Sequence, residues 1–255
     1  MEFALDSLGS TKAGAGGRRF YVIMAGVFML IAFGGFFPTY WHKLATGTFG
    51  GAPVLHIHGA FFFTWTLFFF MQTSLVALGR TPDHRAWGMA GIALATGMAF
   101  TGVLGTINLM QVAAGIGMLD EGRRFAIVPL VSLAFFVVFF AVAIVKVKEP
   151  EVHKRLMFIA MIPLMQAAVG RIFRTLFAPP GTVGPAPVFV TVPPGLVVDL
   201  LIVVAMVYDW RTRGRVHPVY LVCGPLLLAN QILAVPLSAT SAWMAIATWV
   251  HGLAG

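Results

Sequence analysis

Seven apolar runs, each long enough to cross a bilayer, alternate along the chain with short segments rich in charge, proline and glycine. They lie near Phe20–Phe37, Pro53–Leu78, Trp87–Asn108, Phe125–Val147, Leu156–Phe177, Pro194–Tyr208 and Pro218–Val235, the sixth being the shortest. A helical crossing takes roughly 20 residues. Lipid offers no partner to backbone N–H and C=O groups, so a spanning segment must satisfy its own, as a helix does. The short alternating strands that build a membrane barrel are missing from the pattern. The expected architecture is therefore an all-α integral membrane protein, a seven-helix transmembrane bundle over residues 18–236.

The flanks read differently. Residues 1–17, ending in the glycine-rich KAGAGG, predict a flexible N-terminal tail. A cleavable signal peptide is not expected there, because the apolar run begins only after Arg18 and Arg19 and no small-residue cleavage site follows. Residues 237–255 follow the last span by too few polar residues for a turn and a further crossing. They predict an amphipathic helix lying in the interface, anchored by Trp243 and Trp249.

Within the bundle, the third span carries two rows of small residues, Gly91, Ala95 and Ala99 on one and Ala93, Gly97, Thr101 and Gly105 on the other. Such rows let backbones approach closely, which predicts that this helix runs through the centre. The run FFFTWTLFFF in the second span predicts a face turned largely to lipid. Pro82, Pro150 and Pro218 each open a helix at intervals of 68 residues, with His84, His153 and His217 beside them. This spacing suggests three helix hairpins after the first span, although proline is favoured at the first position of any helix.

Composition agrees with a membrane class. Hydrophobic residues make up 59% and charged ones only 10%, against roughly 45–50% and 25% for soluble domains. A soluble enzyme, a disordered chain and a secreted disulfide scaffold are all excluded. Cys223 is the only cysteine, so there is neither an internal disulfide nor a CxxC pair.

The net charge of +8 matters through its placement. With the N-terminus inside, Lys12, Arg18, Arg19, Arg80, Arg85, Lys146, Lys148, Lys154, Arg155, Arg211, Arg213 and Arg215 lie on the inner side. Lys43, Arg123, Arg124, Arg171 and Arg174 lie on the outer side. Twelve against five favours N-in and, after seven crossings, C-out. The implied partners are membrane lipids with anionic headgroups rather than nucleic acid.

Two constellations could carry chemistry. His58, Arg171, Arg174 and Asp199 share a depth near the outer side, and His58, Trp65 and Gln72 recur at intervals of seven along one helix face. One reading is a ligand-binding cavity of His58, Gln72, Arg171, Arg174 and Asp199; the other is a buried Asp199–arginine pair that registers two helices. At the inner side, His84, His153 and His217 sit at one depth on three helices and are candidates for a transition metal or haem b. Trp65, Arg85, Arg155 and Asp209 would support these ligands. Interfacial histidines also cap helices and contact headgroups, which is the competing reading of all three. No P-loop, dinucleotide fingerprint, serine elbow or HExxH motif is present, and no catalytic residue is predicted.

At these residues the chain resembles a family of bacterial polytopic inner-membrane proteins with no assigned activity. The likeness rests on HGAFFFTWTLFFFMQTSLVALGRTPDHRAWGMAG starting at His58, HKRLM starting at His153, and YDWRTRGRVHPVYL starting at Tyr208. It implies a multi-pass protein of the bacterial inner membrane and draws attention to His58, Gln72, His84, Arg85, His153, Arg155, Arg171, Asp209 and His217. A looser similarity to transmembrane b-type cytochromes rests on histidines at helix ends and implies haem ligation.

The functional expectation is a histidine-centred site for a redox cofactor, haem b or metal, or for a small ligand. Two alternatives stand beside it. One is a non-catalytic accessory or assembly subunit of a larger membrane complex. The other is small-anion or proton-coupled transport through a pocket of His58, Arg171 and Asp199.

Overall fold

A computed structural model describes the chain from residue 2 to residue 253, with side chains from Arg19 onward. The flexible tail expected over residues 1–17 falls outside the residues whose side chains are described. Helix α1 (Glu2–Phe36) passes through a π-helical turn at Phe37–Trp41 into the short α2 (His42–Ala45). Then follow α3 (Pro53–Ala77), α4 (Thr81–Ala86), α5 (Gly88–Gly115), α6 (Leu119–Phe125), α7 (Ile127–Val145) and α8 (Pro150–Phe177). A 3-10 turn at Val188–Thr191 leads into α9 (Val192–Arg213), and α10 (Pro218–Leu237) and α11 (Ser241–Gly252) complete the chain. Among the described residues there is no strand.

Seven segments are long and apolar enough to cross a membrane: Arg19–Ala45, Pro53–Ala77, Gly88–Gly115, Leu119–Val145, Pro150–Phe177, Val188–Arg213 and Pro218–Leu237. Each coincides with an expected span. The sixth is longer than expected because the 3-10 turn joins α9 directly and the helix continues past Asp209 to Gly214, whose φ of 69° ends it. Prolines stand in the first turn of α3, α4, α8 and α10, where their missing N–H costs no hydrogen bond.

The central helix is α8, not α5 as the small-residue rows had suggested. Helix α8 packs against α1, α7, α9 and α10, and it is the most buried of the spans. The helices α1, α3, α5, α7 and α8 touch in that order and close into a ring, with α9 and α10 packed on the far side of α8. The glycines of α5 serve close approach as predicted, but to its ring neighbours. Gly91 and Gly97 receive the rings of Phe68 and Phe61 from α3, and Gly102 receives Leu133 from α7.

The aromatic run of α3 is correspondingly less exposed to lipid than expected. Phe63, Trp65, Thr66 and Phe69 are buried, and Trp65 lies within the ring against Phe136 and Phe140. A polar chain also crosses the bundle. Ser132 donates to Gln166 Oε1 at 3.3 Å, and Gln166 Nε2 donates to Gln231 Oε1 at 2.8 Å, joining α7, α8 and α10. At the C-terminus, Thr240 caps α11 and the Trp243 indole donates to the Arg123 carbonyl at 2.9 Å. Trp243 thus ties α11 to α6, while Trp249 stays exposed.

Candidate functional site

The turns at the α4 end of the bundle bring two of the three inner histidines together. His84 lies in α4 and His153 in the first turn of α8, and their ring centroids are 6.3 Å apart with the rings inclined at 74°. Gln72, near the end of α3, clamps His84 from two sides. Its Nε2 donates to the His84 carbonyl at 3.3 Å, so its Oε1 is the atom facing His84 Nδ1 at 3.0 Å. The carbonyl-type oxygen can only accept, which places a hydrogen on His84 Nδ1. His153 Nδ1 meets the Ala143 carbonyl at 2.8 Å and must likewise donate.

Both rings are therefore oriented through Nδ1. Among the described residues, neither Nε2 has a hydrogen-bond partner. His84 is held below its ordinary pKa of 6.5, chiefly by burial, then by the neighbouring charges of His153 and Arg85. Its ring is neutral at physiological pH, with the Nε2 lone pair available. Arg85 itself is exposed and acts on the pair only through its charge.

His217 does not join them. Its Nδ1 accepts the Val219 N–H at 3.2 Å, so the ring caps the N-terminus of α10. Its pKa is also lowered, by burial first and then by Arg155. Among the described residues no group of three or more His, Cys, Asp or Glu side chains could hold a metal. The three-histidine metal site suggested by the common depth is not assembled, because equal depth fixes height in the membrane and leaves direction around each helix open.

Gln72 was expected with His58 at the opposite side. The two lie 14 residues apart on one continuous helix, which is about 21 Å at 1.5 Å per residue. Gln72 belongs to the His84 end. Trp65, midway between, supports neither imidazole directly; it packs in the core and donates its indole N–H to Met161 Sδ at 3.2 Å.

Arg155 and Asp209 form a buried ion pair rather than a support for the histidines. Arg155 Nε meets Asp209 Oδ2 at 2.8 Å and Nη2 meets Oδ1 at 2.5 Å, with Arg155 1% and Asp209 0% exposed. Arg155 also donates to Glu151 Oε2 at 2.7 Å, and Arg213 closes on the same carboxylate. Beside this cluster the hydroxyls of Tyr21 and Tyr220 meet at 3.2 Å. Together these contacts fasten α1, α8, α9 and α10 at the α4 end. Reading the sequence missed the Arg155–Asp209 pairing, although the signal existed: both residues lie about a turn inside the same end of neighbouring spans.

At the opposite end, His58 Nδ1 meets the Thr101 carbonyl at 3.2 Å and its ring rests on Gly105. Arg171 shares a cavity with His58, Thr39 and Tyr40. Asp199 does not. Both its carboxylate oxygens are buried without a hydrogen-bond partner among the described residues, and no arginine pairs with it. Arg174 turns instead to the loop before α9, donating to the carbonyls of Gly184 at 3.1 Å and Thr182 at 3.2 Å. The expected Asp199–arginine pair is thus absent, and the five-residue outer site reduces to His58 and Arg171. The π-helical turn that adds Thr39 and Tyr40 went unread, its one cue being Pro38 close after Gly34 and Gly35.

Comparison with protein-family models, with curated proteins and with solved structures finds no match.

Proposed function

We propose that this protein is a multi-pass inner-membrane protein that binds a haem b, which His84 and His153 would hold. The observation that carries this reading is the paired geometry of the two imidazoles, each fixed through Nδ1. A metal ion binds an imidazole nitrogen at about 2.0–2.1 Å, so two rings that shared one ion would have to lie close together. The rings here are 6.3 Å apart. Ligating histidines are characteristically oriented by an acceptor on the other ring nitrogen, the part that Gln72 and the Ala143 carbonyl play here.

The number of ligands argues for haem over a bare ion. Structural zinc takes four protein ligands and catalytic zinc three, whereas a haem iron needs only its axial positions filled. Helices α5 and α7 leave an apolar groove of about 350 Å³ between them, lined by Ala95, Ala99, Phe136, Phe140 and Ile144. Ile144 is the neighbour of Ala143, whose carbonyl holds His153. Neither histidine lines this groove, so a macrocycle held between the two rings would have to extend from the α4 end to reach it. A bound haem b would supply one-electron transfer, and the chain's own part is to hold both rings aligned and partly shielded from water.

The charge bias of the sequence, twelve lysines and arginines against five, favours an orientation with the α4 end at the cytoplasmic face and the C-terminus outside. Helix α11, amphipathic and bearing the exposed Trp249, would lie in the outer interface.

Absorption spectroscopy and metal analysis of the purified protein, made in cells supplied with haem precursor, test the reading. A Soret band at one haem per chain is expected, lost in His84→Ala and His153→Ala and kept in His217→Ala. Colourless, metal-free protein that is nonetheless folded would overturn it. Metal without a Soret band would replace haem by a bare ion at the same pair.

A further inference from the structure

At the end of the bundle away from the two histidines, a cavity of about 100 Å³ is bounded by Phe36, Thr39, Tyr40, His58, Phe63 and Arg171. Its polar groups come from three elements. The π-helical turn at Phe37–Trp41 carries Thr39 and Tyr40, α3 carries His58, and α8 carries Arg171. A π turn displaces side chains from α-helical register, and such turns are frequent at functional sites.

The Arg171 guanidinium lies over the Phe36 ring, 4.1 Å from its centroid, and Nη1 donates to the Ala167 carbonyl at 3.1 Å. These contacts fix the plane of the fork but leave donors unused. Among the described residues no carboxylate pairs with it. Thr39 Oγ1 is buried in the same cavity wall without a hydrogen-bond partner among the described residues. His58 has its Nδ1 turned to the Thr101 carbonyl, so Nε2 remains available. A cation at membrane depth without a counter-charge is costly, as is a buried hydroxyl without a partner.

We propose that this cavity binds a small oxyanion, a carboxylate or phosphate group, held by Arg171 and Thr39 with His58 beside it. One ligand answers both unmet demands. The guanidinium presents parallel N–H groups that match two oxygens of such a group, and the hydroxyl adds a third donor. The cavity volume of about 100 Å³ is several times the roughly 10–15 Å³ that one water needs by the same measure. That admits acetate, bicarbonate or a single phosphate. The phosphate of a lipid headgroup, entering from the membrane edge, presents the same chemistry. Asp199 has no part in the site, so the site as described has no carboxylate to relay a proton.

The test uses the full-length protein in detergent, with acetate and inorganic phosphate as probes and chloride at matched ionic strength as control. A ligand that binds only the folded state raises Tm according to its concentration over Kd. A saturable rise with either probe is expected, absent in Arg171→Gln, reduced in Thr39→Val and partly kept in Arg171→Lys. Thr39→Val removes a hydroxyl that has no partner in the unliganded cavity, so it tests the site even where Arg171→Gln fails to fold. Native mass spectrometry supplies the second arm. A phospholipid retained by the wild type and lost from Arg171→Gln, with no response to free anions, supports the oxyanion site and assigns it to a headgroup. An equal response of wild type and both variants, or no response and no retained phospholipid, overturns the proposal. None of these readouts depends on haem.

Discussion

Arg155 and Asp209 face each other edge to edge, with two hydrogen bonds at 2.8 and 2.5 Å, inside a bundle that hides both from solvent. Removing one partner leaves the other charged and buried, a loss of about 3–5 kcal/mol, whereas replacing both by apolar residues of similar volume is often neutral. Asp209→Asn and Arg155→Met are each expected to lower the thermal midpoint in detergent sharply. The double variant Arg155→Met/Asp209→Leu should recover most of the loss. Additive losses would show that the pair is not the fastening it looks to be.

Asp199 gives the opposite expectation. Its carboxylate makes no hydrogen bond and no ion pair among the described residues, so Asp199→Asn has no bond to break and removes a charge that nothing balances. The midpoint should stay or rise, measured beside Asp209→Asn under the same conditions. A fall comparable to that of Asp209→Asn would mean that Asp199 meets a partner supplied by lipid or another chain.

The histidine pair predicts an acid-sensitive end of the bundle. His84 has its pKa depressed below 6.5 in the folded state by burial, His153 and Arg85. The unfolded chain therefore binds the proton more readily than the folded one. The stabilisation is complete above the unfolded value of about 6.5 and is lost as pH falls through the lower folded value. Tm followed between about pH 8 and 5 should be level and then fall, with a shallower fall in His84→Gln. His217, depressed for the same leading reason, contributes in the same direction, so His217→Gln is the matched comparison. A curve unchanged in His84→Gln would detach the acid sensitivity from this ring.

Close helix crossings predict unequal costs for equal substitutions. A methyl group added at Gly35 would stand 2.5 Å from the Ala168 carbonyl oxygen and 2.8 Å from its Cβ, atoms of the α8 backbone and its first side-chain carbon. One added at Gly97 meets only the Phe61 ring, which can swing aside. Overpacking of this kind costs about 1–3 kcal/mol. Gly35→Ala is expected near the top of that range and Gly97→Ala near the bottom, with Phe61→Leu relieving the latter. Equal losses in the two variants would contradict the close α1–α8 crossing.

The spans were legible because lipid imposes one requirement on every residue of a crossing, and apolar runs with proline at their starts record it directly. Which helix stands at the centre was not legible. Glycine rows mark where something comes close, and in α5 what comes close is a set of phenylalanine rings from α3 rather than helices on every side. Partners across helices failed for a related reason. Arg171 and Asp199 lie at similar depth on adjacent spans, yet α9 turns Asp199 away from Arg171, and depth alone contains no angle. Contacts inside a hairpin were more accessible. Gln72 and His84 flank one short turn, and spacing by sevens drew Gln72 to the wrong neighbour. The seven-residue rule identifies a shared face but not a shared end.

Pro163 lies buried near the middle of α8, and having no N–H it leaves the Ile159 carbonyl without its helical donor. An unbroken helix transmits a tilt along its whole length; one released at its midpoint behaves as two levers on a common pivot. His153 rides on one arm and Arg171 on the other. A group held at one end would then reorient its own arm without being felt at the other, so the two proposed sites would not need to keep step.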